Sequence, residues 1–211
     1  VYSLDGELVL TASDDGTLKL WDPLDGRVVK TFRGHTDVVL TCRYSHSGQQ
    51  ILSTSRDGTA RVWNVDGQGE TLELKGHRGA VLQGAFSPDD QRVVTGGDDY
   101  RTIVWDLATE RPMTSLAEQS DRVTAVAFSP SGTRILTGCA DHSIKLWDAK
   151  TGREVLTLDG HLREITSVTF SPDGRSVLSS SRDGTAIIWP SIDLRTDGSE
   201  LDVKSLSAAT P

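Results

Sequence analysis

Short apolar runs separated by turn-forming clusters recur along the whole chain, and no segment keeps apolar residues at helical spacing over ten positions. The stretch from Arg122 to Gly160 shows the pattern. Val123 to Phe128 is apolar and β-branched and ends at Ser129, Pro130, Ser131 and Gly132. Arg134 to Cys139 is a second such run, followed by a tight turn at Asp141 and His142. Ser143 to Trp147 is a third, and past Lys150, Thr151 and Gly152 comes Glu154 to Leu158. β-branched residues favour extended backbone, while Pro and Gly end it. The pattern therefore predicts four short strands in succession and an all-β class.

The same succession returns at a fixed step. Tryptophans stand at Trp21, Trp63, Trp105, Trp147 and Trp189, every interval being 42 residues. Ser3, Ser45, Ser87, Ser129 and Ser171, which open the first turn of each unit, keep that step without insertion or deletion. Units of four strands repeated every 40–45 residues stack as antiparallel sheets around an axis, because one small sheet cannot hide both of its apolar faces. The expected architecture is a β-propeller of four-stranded blades over residues 1–190, with about five blades and the first incomplete. Residues 191–211 lose the period and read as a polar tail or linker, with Ile192 to Leu194 at most a short edge strand.

The details resemble the WD-repeat (WD40) family. The closing dipeptide is Trp-Asp at Trp21, Trp105 and Trp147, with departures to Asn64 and Pro190. The opening Gly-His pair is Gly34 and His35, Gly76 and His77, Gly160 and His161, whereas the fourth unit has Glu118 and Gln119. The resemblance implies a tetrad of His, Ser or Thr, Asp and Trp within each blade. The matching residues are His35, Ser53, Asp57 and Trp63; His77, Thr95, Asp99 and Trp105; Thr137, Asp141 and Trp147; and His161, Ser179, Asp183 and Trp189. Their chemistry suits a self-satisfying chain, since indole N–H only donates, carboxylate only accepts, and hydroxyl and imidazole do both. A Ser, His, Asp set also suggests a nucleophilic triad. Recurrence every 42 residues, always with a Trp, argues for framework instead, so no catalytic residue is assigned. No Cys or His pairs stand at metal-ligand spacing and no glycine loop of nucleotide-binding type occurs, so neither metal nor cofactor is expected.

If the tetrads serve folding, function falls to loops at the blade ends. The resemblance implies a partner face lined by the residue before each turn Asp, and by the third and fifth residues after each His. The first set is Asp14, Arg56, Asp98, Ala140 and Arg182. The second is Val38, Leu40, Ala80, Leu82, Arg122, Thr124, Glu164 and Thr166. Two further residues stand out. The turn position five before the Trp is Gly16, Gly58 and Gly184 in three units but Tyr100 and His142 in the others, implying either another turn type or side chains kept for a ligand. Mixed charge with an apolar sector suits a protein or peptide partner.

Charge narrows the partners further. The formal charge of −8, from 22 basic and 30 acidic residues, opposes a role on nucleic acid, which needs clustered cations. No apolar run approaches a membrane span. Two cysteines and no secretory signal fit a reducing, cytoplasmic setting. The expected function is a non-catalytic interaction scaffold, read as an appendage of a multidomain regulatory protein; the alternative is an enzyme or sugar-binding propeller using an axial pocket. Met113 is the only methionine, the first unit lacks Gly-His, and fewer than seven units are present, so an open arc or part of a larger propeller is expected. Bare faces of an open arc would favour self-association. A closed five-bladed ring, with residues Leu201 to Ala208 supplying a strand, is the lesser alternative.

Overall fold

The computed structural model describes residues 1–69 and 71–190, and all the regular structure in them is β. Five antiparallel sheets follow one another in chain order. Blade 1 holds β1 (Val9–Ala12), β2 (Thr17–Trp21) and β3 (Val28–Arg33). Blade 2 holds β4 (Val39–Tyr44), β5 (Gln50–Ser55), β6 (Thr59–Asn64) and β7 (Leu72–Lys75). Blade 3 holds β8 (Val81–Phe86), β9 (Arg92–Gly97), β10 (Thr102–Asp106) and β11 (Arg111–Ser115). Blade 4 holds β12 (Val123–Phe128), β13 (Arg134–Cys139), β14 (Ile144–Asp148) and β15 (Glu154–Leu158). Blade 5 holds β16 (Ile165–Phe170), β17 (Val177–Ser181) and β18 (Ala186–Trp189).

Blades 2, 3 and 4 thus have four strands, and the two end blades have three. Blade 1 keeps a remnant of its inner strand, since Tyr2 bridges Val9 and the Leu10 amide donates to the Val1 carbonyl at 2.7 Å. The proposed edge strand at Ile192 to Leu194 and the ring-closing strand at Leu201 to Ala208 lie outside the described residues.

Neighbouring blades share apolar cores. Leu10, Leu18 and Leu20 of blade 1 pack on Ile51 and Trp63 of blade 2. Leu52 and Val62 then meet Val93 and Trp105. Val94 and Val104 meet Ile135 and Trp147, and Leu136 and Leu146 meet Val177 and Trp189. Each blade presents an aliphatic forward face to the Trp-bearing rear face of the next. Among the described residues no core cluster joins blade 5 to blade 1, so the five blades form an open arc. The exposure at its ends follows. Leu178 and Ile188 on the forward face of blade 5 are 43% and 69% exposed, where their counterparts Leu136 and Leu146 are fully buried.

Candidate partner-binding face and the buried tetrads

The strand order gives every blade two ends. The upper end carries the turn before each inner strand and the Asp turn between the next two strands; the lower end carries the Ser-led turns.

Three tetrads assemble as the residue types demand. His35 Nδ1 lies 2.7 Å from Asp57 Oδ2, His35 Nε2 lies 2.8 Å from Ser53 Oγ, and Trp63 Nε1 donates to that oxygen at 2.8 Å. His77 makes the corresponding contacts with Asp99 and Thr95 at 2.8 Å each, and Trp105 Nε1 reaches Thr95 at 2.8 Å. His161, Asp183, Ser179 and Trp189 repeat the set at 2.8–2.9 Å. One proton arrangement satisfies all four groups: the indole donates to the hydroxyl, the hydroxyl to Nε2, and Nδ1–H to the carboxylate. Each Asp also accepts the backbone amide after the His, at Thr36, Arg78 and Leu162, which ties the upper turn to the blade. The glycine of the Gly-His pair gives the ring room, because a Cβ on Gly76 would stand 2.9 Å from Trp105 Cη2.

The electrostatics fit a neutral imidazole. Burial pushes His35 and His77 below the usual histidine range, against the pull of Asp57 and Asp99. Burial alone would raise Asp57, but hydrogen bonds from Thr59, His35 and the Thr36 amide lower it to about 2. The Thr185 hydroxyl and the Leu162 amide hold Asp183 low in the same way. These Ser-His-Asp contacts have the distances of a nucleophilic triad, yet Ser53, Thr95 and Ser179 are at most 1% exposed and each hydroxyl receives an indole N–H. A hydroxyl that no substrate can touch is framework.

Blade 4 departs from the set. Thr137 donates to Gln119 Oε1 at 2.8 Å and Trp147 Nε1 donates to Thr137 at 2.9 Å, so the Gln takes the place of the missing His. It does not reach Asp141, which instead accepts from the Ser143 amide and hydroxyl. Gln119 Nε2 turns to Thr102 of blade 3, and the buried Cys139 thiol also lies against Gln119 Oε1. Asp141 therefore does not belong to a tetrad in this blade, contrary to the expectation from spacing. The amide oxygen accepts from Thr137 where an imidazole Nε2 would, but the amide nitrogen is engaged by Thr102 and leaves Asp141 without its donor.

The upper rim is built by two devices the sequence pattern did not reveal. The first is a β-bulge in the inner strand of blades 2 to 5. The ladder skips one residue between Val39 and Thr41, Val81 and Gln83, Val123 and Ala125, and Ile165 and Ser167. The skipped residues are Leu40, Leu82, Thr124 and Thr166, all four of the inner-strand candidates, and bulges re-aim side chains in this way. The only hint was the apolar-apolar doublets Val39-Leu40 and Val81-Leu82, which break strict alternation. The second device is a backbone hydrogen bond of 2.9 Å from Arg56 to Val38, Asp98 to Ala80, Ala140 to Arg122 and Arg182 to Glu164. It sets the two candidate residues of each blade side by side.

Charge then links the later blades. Asp98 and Arg122 lie 3.8 Å apart, Arg122 and Glu164 3.7 Å, and Glu164 and Arg182 3.1 Å, forming one ladder across blades 3, 4 and 5. Arg56 and Asp14 are exposed and make no ion pair among the described residues. Leu40, Leu82 and Val38 are half-buried. Thr124 is less available than expected, since its hydroxyl lies 2.5 Å from the Ile165 carbonyl across the joint. Thr166 hydrogen-bonds Ser180 at 2.8 Å on the bare side of blade 5. Tyr100 and His142 have φ of 65° and 78°, like Gly16, Gly58 and Gly184 at the same turn position. The turn type is thus unchanged, and two side chains occupy the left-handed region at a cost of roughly 1–2 kcal/mol each.

At the lower end Phe86, Phe128 and Phe170, with Pro88, Pro130, Pro172 and His46, line an apolar hollow of about 350 Å³ that no carboxylate enters. No group of His, Cys, Asp or Glu among the described residues could hold a metal ion.

The repeat geometry agrees with comparison to known proteins. The WD domain, G-beta repeat family matches residues 1–22, 26–64, 69–106, 110–148 and 152–190. The chain belongs to the WD40 family. WD40 proteins serve in general as scaffolds for protein interaction. Short segments are similar to larger members. The chain is 54% identical over 37 residues to WD repeat-containing protein RUP2 of Arabidopsis thaliana, covering 18% of this chain and 10% of that protein. It is 58% identical over 31 residues to nuclear distribution protein PAC1-2 of Uncinocarpus reesii, 15% of this chain and 7% of that one. It is 46% identical over 39 residues to human WD repeat domain-containing protein 83, 18% of this chain and 12% of that one. The similar segments thus span about a tenth of these relatives.

Proposed function

We propose that this WD40 chain is a non-catalytic scaffold that holds a protein or peptide on its upper rim. The observation that carries this reading is the repeated bulge, which spends ladder pairing in four consecutive blades to bring Leu40, Leu82, Thr124 and Thr166 to the rim. Around them stand a half-buried apolar sector, an unpaired Arg56 and the strained, 41% exposed Tyr100. Backbone strain retained at a loop tip accords with contact to a ligand, and Tyr and Arg are among the commonest binding anchors. The net charge of −8 argues against nucleic acid as the partner. Two free cysteines accord with a reducing, cytoplasmic setting.

The test is selection of a displayed random-peptide library on the immobilised chain. Binders to the upper rim lose affinity at least tenfold for the double variant Arg56→Glu, Arg182→Glu and for Tyr100→Ala, while the variants keep the melting behaviour of the parent. Binders indifferent to all three changes would place the interaction elsewhere.

A further inference from the structure

The repeat supplies its own control for what a blade joint needs. On the forward side of the inner strand, one residue before the aromatic that ends it, the series from blade 2 to blade 5 reads Arg43, Ala85, Ala127 and Thr169. Two positions earlier it reads Thr41, Gln83, Ala125 and Ser167, and on the adjoining strand Thr54, Gly96, Gly138 and Ser180. In blades 3 and 4 these residues are uncharged and, apart from Gln83, small. The joint between blades 2 and 3 is polar, with a guanidinium in it.

That guanidinium is poorly compensated. Arg43 Nη2 donates to Gln83 Oε1 at 3.2 Å, whereas Nε is sealed from solvent and has no partner. Among the described residues no carboxylate stands within ion-pair distance, and burial, with no acid to offset it, pushes its pKa down. Arginine nonetheless stays protonated, and a partly buried charge without a counter-charge is destabilising. Alanine stands at the same place in the next two blades, in joints where Val126 and Val168 take the position of Gly84. Nη1 makes no hydrogen bond and is not among the sealed atoms, so one edge of the fork remains open to a visitor. Its backbone lies near the Ser45 turn, while its fork reaches Gln83 across to the inner strand of blade 3.

We propose that Arg43, with Gln83 beside it, is a carboxylate-binding site between the inner strands of blades 2 and 3. A carboxylate brought by a ligand supplies the missing counter-charge and accepts from the open edge of the guanidinium, a charge-assisted contact stronger than a neutral hydrogen bond. The site does not depend on the upper-rim reading.

The experiment follows the melting midpoint of the chain in sodium succinate, in inorganic phosphate and in sodium chloride at matched ionic strength. A ligand that binds only the folded state raises the midpoint saturably. Succinate is expected to do so in the parent chain and in Arg56→Ala, and not in Arg43→Ala or Arg43→Met. In chloride alone Arg43→Met is expected to melt at or above the parent, because it keeps the length of the side chain and removes the uncompensated charge. The proposal is overturned if succinate gives no saturable rise in the parent, if the rise survives in the Arg43 variant that folds, or if phosphate raises the midpoint more than succinate. A loss of stability for Arg43→Met in chloride would likewise overturn it, by showing the guanidinium to be structural.

Discussion

Thr54 of blade 2 and Gly84 of blade 3 meet across a joint where a Cβ on the glycine would lie 3.1 Å from Thr54 Cγ2 and 2.9 Å from Leu52 Cδ2. In the next two joints the volumes are exchanged. Gly96 faces Val126, and Gly138 faces Val168, with methyls of the following blade close to where a Cβ would be. The bulk comes from the preceding blade in the first of these joints and from the following blade in the other two.

Gly84→Val should therefore destabilise by about 1–3 kcal/mol through overpacking, and Thr54→Gly by at least about 1 kcal/mol through lost volume and the lost hydroxyl contact with Thr41 at 2.8 Å. The double variant Thr54→Gly, Gly84→Val reproduces the later joints and should recover part of both losses. Urea unfolding of the four proteins measures the coupling, and strictly additive costs would contradict the exchange.

His77→Ala should cost about 2–4 kcal/mol, because it leaves Asp99 and Thr95 short of a buried partner and opens a void. Lys75→Ala in the same blade removes only an exposed pair with Glu73 at 2.7 Å and should cost under about 0.5 kcal/mol. Equal melting temperatures for the two variants would refute the framework role of the tetrads.

Stability should fall toward acid in two windows. His35 and His77 have folded-state pKa values below the unfolded value, so the unfolded chain binds more protons between them and stability declines as pH drops below about 6.5. Asp57, at about 2 in the fold, contributes stability that is whole above its unfolded value near 3.8 and disappears as pH falls through 2. Melting curves from pH 8 to pH 2 test both, and removing His77 as His77→Gln should flatten the first window. A midpoint independent of pH between 7 and 5 would contradict the buried neutral imidazoles.

Tyr100→Gly and His142→Gly should raise stability by up to about 1 kcal/mol each, since the strain of positive φ is relieved and only part of the gain is returned as unfolded-chain entropy. Denaturant midpoints report the change. A loss above 1 kcal/mol in either variant would mean that packing, not ligand contact, holds these side chains in place.

Leu178→Ser and Ile188→Ser should be nearly neutral, whereas Leu136→Ser and Leu146→Ser at the same repeat positions should each cost more than about 2 kcal/mol, following their burial. Light scattering adds a second readout, because the bare forward face should make the parent chain self-associate with rising concentration and Ile188→Lys should weaken this. A concentration-independent mass in the parent would mean that the face is covered or too small to bind.

The 42-residue period made the strands, their order and three of the four examined tetrads legible, because each rests on residue type at a fixed distance from a Trp. The bulges were less visible. An extra residue in one strand of a ladder leaves the repeat length unchanged, so Leu40 and Leu82 look like ordinary strand residues until the pairing partner is known. Asp141 was misplaced for a related reason, since its spacing is intact while the group it should bind has become Gln119. Tyr100 and His142 signalled their oddity in sequence, but only the φ of the folded backbone separated a changed turn from a strained one. Arg43 drew no notice within its own strand and became conspicuous only against its counterparts in the neighbouring joints.

The exchange of volume between Thr54 and Gly84 on one side and Gly138 and Val168 on the other means that the blades, though built to one plan, are not interchangeable. A shuffled molecule with blade 2 set directly before blade 4 would press Thr54 into Val126, and blade 4 set before blade 3 would leave Gly138 and Gly84 facing across a hollow. Their succession is thereby recorded in side-chain size at each seam, so a repeat protein of this kind can tolerate copying of its plan more readily than permutation of its parts.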